Sequence, residues 1–318
     1  MNARPLPVLI GLLLMAGTAF GADPAPSAKA KNTFVPHDTK VLTYKHTPQG
    51  DLEIEFFMPP DWKPSDRRPG IVFFFGGGWT HGNRSQFYVQ CDYLAKRGMV
   101  AGTADYRIGS KHHTTPVECA EDAKSAIRWT RAHAAELGID PQRLAAGGGS
   151  AGGHLAGVTG VCPDFNAADD PNASFSATPN ALVLFNPVLD LRKLGEGNER
   201  VPGTEDQKRK VTAQLSPAAY VTKDAPPAII FFGSEDRLID TARPYAAEAT
   251  KLGARAKIFV APGQRHGFFN RDPWQTATLR MADEFLASIG YLQGPPTIEA
   301  PKPAALHPDD GAKVAAPQ

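Results

Sequence analysis

Residues 147–152 read GGGSAG, inside the stretch RLAAGGGSAGGHLAG. Two chemistries can be written onto these letters. Gly147, Gly149 and Gly152 fit G-x-G-x-x-G, a turn that cradles the pyrophosphate of a dinucleotide. Gly148, Ser150 and Gly152 fit G-x-S-x-G, a sharp turn that lifts a nucleophilic serine above the end of a strand. Both belong between a strand and a helix.

The cradle has further requirements. Its glycines usually lie in the first strand–helix unit of a domain, and an acidic residue about 20 residues later closes the next strand to bind the ribose. Several strand-like runs precede Gly147. The acids that follow lie in DFNAADDPNASF, which reads as a loop. The cradle is therefore disfavoured.

The serine turn has its own requirements. A serine hydroxyl is a poor nucleophile near neutral pH. It needs a histidine base, an acid to orient that histidine, and N–H donors for the developing oxyanion. Small neighbours are needed at a strained turn, and Gly148 and Gly152 supply them. A helix opening at Ala151 brings its positive end close to the serine. The strand-like run AIIFF leads into GSEDRLI, and AKIFV leads into APGQRHGFF. Acids and His266 are thereby placed at successive strand ends, and Asp236 precedes His266 by thirty residues, room for one helix and one strand. The order serine, acid, histidine is that of a parallel-sheet hydrolase. Gly76, Gly77 and Gly78 follow IVFFF and would let backbone N–H groups approach a ligand without a Cβ in the way.

These residues need a frame. LEIEFFM (52–58) alternates apolar and polar residues and meets a Pro pair, which predicts an antiparallel edge strand. IVFFF (71–75), MVAGTADY (99–106), RLAAG (143–147), ALVLF (181–185), AIIFF (228–232) and AKIFV (256–260) read as further strands, and the continuous apolar run IVFFF as a buried parallel one. Pro116 opens a long helix that Gly138 stops, and a last helix covers about 274–288. Alternating strands and helices imply a parallel sheet with helices on both faces.

With FFFGGGW, ADYR, GGGSAGGHLA, FNPVLDL, GSEDRLI and RHGFF in order, the chain resembles the α/β-hydrolase superfamily, in its esterase/lipase group with an HGGG-type oxyanion motif. The likeness covers about residues 45–290. It implies an α/β-hydrolase fold with a mostly parallel central sheet. It implies Ser150 as nucleophile, Asp236 as acid and His266 as base, with Gly77, Gly78 and Ala151 as oxyanion donors. It implies no metal and no organic cofactor. One position departs: Phe75 stands where the group carries the first histidine of HGGG. Packing must then hold the loop, with Phe75 and Trp79 the residues at hand.

Other residues compete for roles. Glu235 adjoins Asp236 and is the alternative acid. His154, one turn beyond Ser150, reads as a packed or capped helix residue. His112 and His113 read as an exposed loop, and Asp105, Tyr106 and Arg107 as a structural hydrogen-bond network. Trp79 is expected to wall the acyl pocket, with core packing as the alternative. Phe268 and Phe269 could do either.

The whole chain sets outer limits. Its 318 residues carry a net charge of +1, which gives no basis for a nucleic-acid partner. The basic run 208–210 reads as a solvated face. Residues 1–21 resemble a secretory signal: Arg4, an apolar run from Val8 to Ala16, and small Ala19 and Gly21 before the cut. An uncleaved N-terminal anchor is the alternative, and no later segment is apolar enough to span a membrane. The expectation is a secreted or periplasmic protein. Three cysteines allow one bridge at most, and Cys91 with Cys119 is the candidate pair against buried free thiols. Residues 22–40 read as a linker, 41–292 as the catalytic domain, and 293–318, rich in Pro and Ala, as a disordered tail.

The expected function is hydrolysis of carboxylic esters through an acyl-enzyme. The polar insertion at about 190–227 is unlike the greasy lid of a lipase. It suits short acyl groups on a bulky, carbohydrate-like alcohol, such as acetyl or feruloyl esters of polysaccharide. A peptidase would need a further large domain. A binding protein that kept the fold remains the other alternative.

Overall fold

The computed structural model describes residues 38–194, 200–302 and 304–311. The expected signal segment, and most of the expected linker, lie outside them. In chain order the elements are β1 (Thr39–Thr47), β2 (Gly50–Phe57), β3 (Arg68–Phe74), α1 (Tyr88–Lys96), β4 (Val100–Ala104), the single turn α2 (Gly109–His112), α3 (Pro116–Ala132), β5 (Ile139–Gly149), α4 (Ala151–Val161), β6 (Ala181–Phe185), α5 (Glu205–Gln214), β7 (Ala228–Gly233), α6 (Ile239–Lys251), β8 (Ala256–Ala261), α7 (Trp274–Ser288) and β9 (His307–Pro308).

The strands form one sheet in the order β1-β2-β4-β3-β5-β6-β7-β8-β9. From β4 to β8 all neighbours are parallel, while β1, β2 and β9 are antiparallel additions at the two edges. This is the expected mostly parallel α/β-hydrolase sheet. The apolar runs are its buried centre because both faces are covered. On β3, Val72 and Phe74 pack with Leu155 and Ala126 on one side. Phe73 between them turns to the other side and stacks on Phe87 at 4.8 Å.

The helices divide by the handedness of their crossovers. From β3 through α1 the chain moves one strand toward the β1 edge. From β4 through α3 it moves back past β3 to β5. Both crossovers are right-handed by rule, so α1 and α3 lie on opposite faces. Tyr93 of α1 donates to Asp283 of α7 at 2.5 Å, and Arg97 pairs with the same carboxylate at 2.7 Å. So α1 and α7 share a face, with α3 and α4 on the other. Helix α3 begins with a capping box between Thr115 and Glu118 and with Pro116 in its first turn. It ends at Ala132, before Gly138.

Three expectations need correction. Cys91 lies on α1 and Cys119 on α3, across the sheet from each other, so they form no pair. All three cysteines are buried and free, and Cys119 Sγ faces the Arg107 carbonyl at 3.0 Å. The strand at 52–58 is not the edge: β1 lies outside it, paired from Thr39 to Thr47. The tail is ordered where it is described. Arg97 donates to the carbonyls of Gln293 and Gly294, Arg280 to that of Ile298, and β9 pairs with Phe259 and Val260 of β8. Arg243 grips Asp309 with both nitrogens at 2.9 and 3.0 Å. A Pro/Ala-rich segment cannot build a core, but it can satisfy an open sheet edge, where a Pro is tolerated.

The insertion between β6 and β7 is polar, as expected. Arg209 and Lys210 are exposed on α5. Among the described residues no helix is long and apolar enough to cross a membrane.

Candidate active site

Strand β5 ends at Gly149, and α4 begins at Ala151. Ser150 alone makes the turn, with φ +53° and ψ −118°. That backbone is costly for a residue with a Cβ and persists only where the surroundings impose it. Gly148 and Gly152 are those surroundings. A Cβ on Gly152 would sit 2.0 Å from the Phe74 carbonyl oxygen, and one on Gly148 would sit 2.5 Å from the backbone of Gly152. The Ser150 amide donates to Phe185 O of β6 at 2.9 Å, and its carbonyl accepts the first helical bond from His154 N at 2.9 Å. Its hydroxyl caps nothing in the helix.

That hydroxyl lies 2.9 Å from His266 Nε2. His266 Nδ1 lies 2.7 Å from Asp236 Oδ2. Asp236 follows β7 and is buried, and its other oxygen accepts from Leu238 N at 3.0 Å. The two loops that carry Asp236 and His266 are stitched together: Glu235 N donates to Gln264 O at 2.9 Å and Gly263 N to Ser234 Oγ at 2.8 Å. Glu235 turns outward to an exposed pair with Arg265, 3.0 Å apart, and does not reach His266. Three strand ends thus bring Ser150, Asp236 and His266 into one chain of hydrogen bonds.

A cavity of about 290 Å³ opens over Ser150 and His266. Gly76, Gly77 and Gly78 form one side of it. Gly77 and Gly78 take φ of +128° and +62°, and a Cβ on Gly77 would meet the His81 carbonyl oxygen at 1.9 Å. The Gly77 carbonyl accepts from Thr80 N and His81 N, and that of Gly78 from Thr80 Oγ1. Among the described residues the N–H groups of Gly77, Gly78 and Ala151 find no protein acceptor.

The loop is held without the missing histidine. The Phe75 ring stacks on Tyr106 at 4.2 Å, and Tyr106 OH donates to Phe75 O at 2.8 Å. Gln86 accepts from Gly76 N at 2.6 Å and donates to Asn270 Oδ1 at 3.0 Å, so it ties the glycine loop to the turn after His266. The segment ADYR supplies more of the frame. Asp105 pairs with Arg84 at 2.6 Å, and Arg107 with buried Asp122 at 2.8 Å.

Trp79 is not where the sequence placed it. Its ring is buried and does not line the cavity at Ser150. Its Nε1–H donates to His154 Nδ1 at 3.1 Å, and the two rings meet edge to face. His154 Nε2 in turn lies 2.7 Å from Leu215 O. Accepting at Nδ1 leaves Nε2 to donate, so the ring is neutral. Burial pushes its pKa down from 6.5 to about 4. His154 is thus a packed residue, as read, but it also pins the glycine loop to the serine helix. His112 is buried rather than exposed, and accepts from Ile108 N at 2.8 Å.

A stability prediction follows from His154. Between pH 6.5 and about 4 the unfolded chain takes up a proton that the folded ring refuses, so stability falls as pH falls through that window. The linkage amounts to about 3 kcal/mol at its full extent. His154→Gln keeps an acceptor and a donor but cannot titrate. Its denaturation midpoint should depend less on pH over that range than that of the parent.

Asn186 carried no assignment from sequence. It follows β6 directly, is fully buried and holds φ +37°. Its Oδ1 accepts from Gly267 N at 3.2 Å, directly after His266, and its Nδ2 is buried with no partner. The signal available was its place at the C-terminal end of a parallel strand, where such sheets bear their sites. Asn186→Ala should lower kcat about tenfold by loosening the His266 turn, with a stability loss of about 1 kcal/mol from the hydrogen bond. Steady-state kinetics beside a urea titration would check both.

The chain is similar to known esterases. The BD-FAE family model matches residues 54–249. Esterase LipC of Mycobacterium tuberculosis is 32% identical over 222 residues, which cover 64% of this chain and 54% of LipC. The acetylxylan esterase of Xylanibacter ruminicola is 28% identical over 283 residues, 84% of this chain and 52% of that protein. The chain thus spans a little over half the length of these relatives. Among solved structures, Thermogutta terrifontis esterase 2 phosphorylated by paraoxon superposes with a TM-score of 0.74 at 44% identity, covering 80% of this chain and 96% of that one. The same esterase with butyrate bound also gives 0.74 at 44% identity.

Proposed function

We propose that this chain, which belongs to the BD-FAE family of α/β-hydrolase esterases, hydrolyses carboxylic esters of short acyl groups through Ser150, His266 and Asp236. The observation that carries the reading is the hydrogen-bond chain from Ser150 Oγ through His266 to buried Asp236, at 2.9 and 2.7 Å.

In this reading His266 Nε2 takes the proton of Ser150 as the oxygen attacks the ester carbonyl. Asp236 keeps Nδ1 protonated and steadies the imidazolium that forms. The charge on the carbonyl oxygen meets the N–H groups of Gly77, Gly78 and Ala151, which have no competing acceptor among the described residues. His266 then gives its proton to the departing alkoxide, and the alcohol leaves. Water attacks the acyl-enzyme with His266 again as base, and the acid is released. Every step uses groups of the chain, the ester and water.

The short-acyl preference rests on the cavity. It holds about 290 Å³, with Phe269 on its floor and the Gln86–Asn270 bridge at its side. Among its described residues the insertion presents exposed polar groups such as Arg209 and Lys210 rather than an apolar cover for a long chain. An acetyl or similarly short ester of a carbohydrate alcohol fits this rim. We place the protein outside the cytoplasm on the character of residues 1–21.

The test is hydrolysis of 4-nitrophenyl acetate against 4-nitrophenyl palmitate. The expected result is kcat/KM at least a hundredfold higher for acetate, with sugar acetates and feruloyl esters as the next substrates. Robust turnover of palmitate with none of acetate would overturn the short-acyl reading.

A further inference from the structure

A second cavity has a volume of about 280 Å³. Gly78 lines the cavity at Ser150, and the next residue, Trp79, lines this one. Its other walls include Thr80, Thr114, Thr115 and Arg200, and none of its lining residues is acidic. Arg200 sits beside Gly78. Its Nη2 lies 3.6 Å from the point where a Cβ on Gly78 would be, and its guanidinium carbon lies 5.8 Å from the Trp79 ring centre. Among the described residues no carboxylate pairs with it. Thr114 Oγ1 is buried with no hydrogen-bond partner.

Several other arginines are already committed to acids. Arg84, Arg97, Arg107, Arg128 and Arg192 all hold carboxylates. Arg200 instead lies beside the Trp79 ring, with no carboxylate partner among the described residues, next to Gly78 of the loop that lines the cavity at Ser150. The planar fork of a guanidinium without a carboxylate partner matches a planar anion. Resting on the esterase reading, we infer that the Arg200 cavity is a subsite for a carboxylate carried by the ester substrate, on its alcohol, as in a uronic acid, or on its acyl group. A neutral ester would leave the guanidinium without a counter-charge.

The test compares pairs that differ in that charge. On the alcohol side the pair is 4-acetoxybenzoate and 4-acetoxybenzamide. On the acyl side it is mono-4-nitrophenyl adipate and 4-nitrophenyl hexanoate. The native protein should prefer the anionic member of one pair, and Arg200→Gln should lower that preference, the ratio of kcat/KM values, about fivefold, as for a solvent-accessible ion pair. Arg200→Lys should retain part of it, and 0.5 M salt should erode it in the native protein. The arm that responds identifies which side of the ester carries the charge.

A binding measurement separates this inference from the catalytic one. Calorimetry with 4-acetamidobenzoate and N-phenyladipamic acid, amides in place of the esters, should show one of them binding about fivefold more weakly to Arg200→Gln. Failure to turn over any ester while that difference persists would overturn the esterase reading and support the subsite. Ratios and binding unchanged by Arg200→Gln in both arms would overturn the subsite.

Discussion

Replacing Ser150 with Ala should lower kcat for 4-nitrophenyl acetate by about ten-thousandfold or more, and replacing His266 with Ala should do nearly the same. The two losses should not add. Ser150 without a base is a feeble nucleophile, and the base without Ser150 has no oxygen to activate. The double variant should therefore match the worse single one. Stability should hardly move. Ser150 Oγ caps no helix, and the His266 side chain is 43% exposed. Removing either leaves no buried group unpaired except Asp236, which keeps its bond from Leu238 N. Kinetics alongside thermal unfolding would show activity lost from an intact fold. Additive losses would mean that the two residues act in separate steps.

Gly152→Ala should do the reverse and destroy the fold around an unchanged set of reacting groups. Its Cβ would lie 2.0 Å from Phe74 O, 2.4 Å from Phe74 C and 2.4 Å from Phe75 O. All three are backbone atoms at the end of β3, where that strand enters the glycine loop. No rotamer relieves such a contact. Either α4 withdraws from the sheet or the loop shifts, and both disturb the Ser150 turn. The expected cost is about 3 kcal/mol or more, at the severe end of overpacking. Gly253→Ala is the control. It also holds a positive φ, +80°, but nothing lies within 4 Å of its Cβ. Only the left-handed backbone penalty applies there, about 1 kcal/mol. Chemical denaturation of both variants would rank them. Equal losses would mean that the close approach at Gly152 is not what shapes the turn.

Much of this arrangement was legible in the sequence because it rests on local chemistry. ALVLF and the helix at 274–288 fall where their patterns placed them, since a buried run or an amphipathic face has one way to pack. The order Ser150, Asp236, His266 follows from which strand ends share a sheet edge. What escaped was decided by distant partners. Strand β1 mixes exposed and half-buried positions around one buried residue, Tyr44, with no regular alternation, and its pairing with β2 is invisible in TKVLTYKHT alone. The tail is fixed by Arg97, Arg280 and Arg243, each far from it in the chain. Cys91 and Cys119 looked adjacent as successive helices, but the direction of each crossover sets them on opposite faces. Trp79 stands beside the right glycines and yet turns to His154, seventy-five residues away. Asn186 stands within FNPVLDL, at the end of a strand run. An amide at a strand end gives no pattern until its bond to Gly267 is seen.

The most direct measurement is the site of covalent capture. Treated with paraoxon, the protein should lose its 4-nitrophenyl acetate activity as one diethylphosphoryl group is gained per chain. The attacking oxygen displaces 4-nitrophenolate and passes its proton to His266. Peptide mapping by mass spectrometry should place the group on Ser150, and the Ser150→Ala protein should gain none. A phosphoryl group found on another residue, or full esterase activity retained with Ser150 modified, would contradict the assignment of Ser150 as the nucleophile.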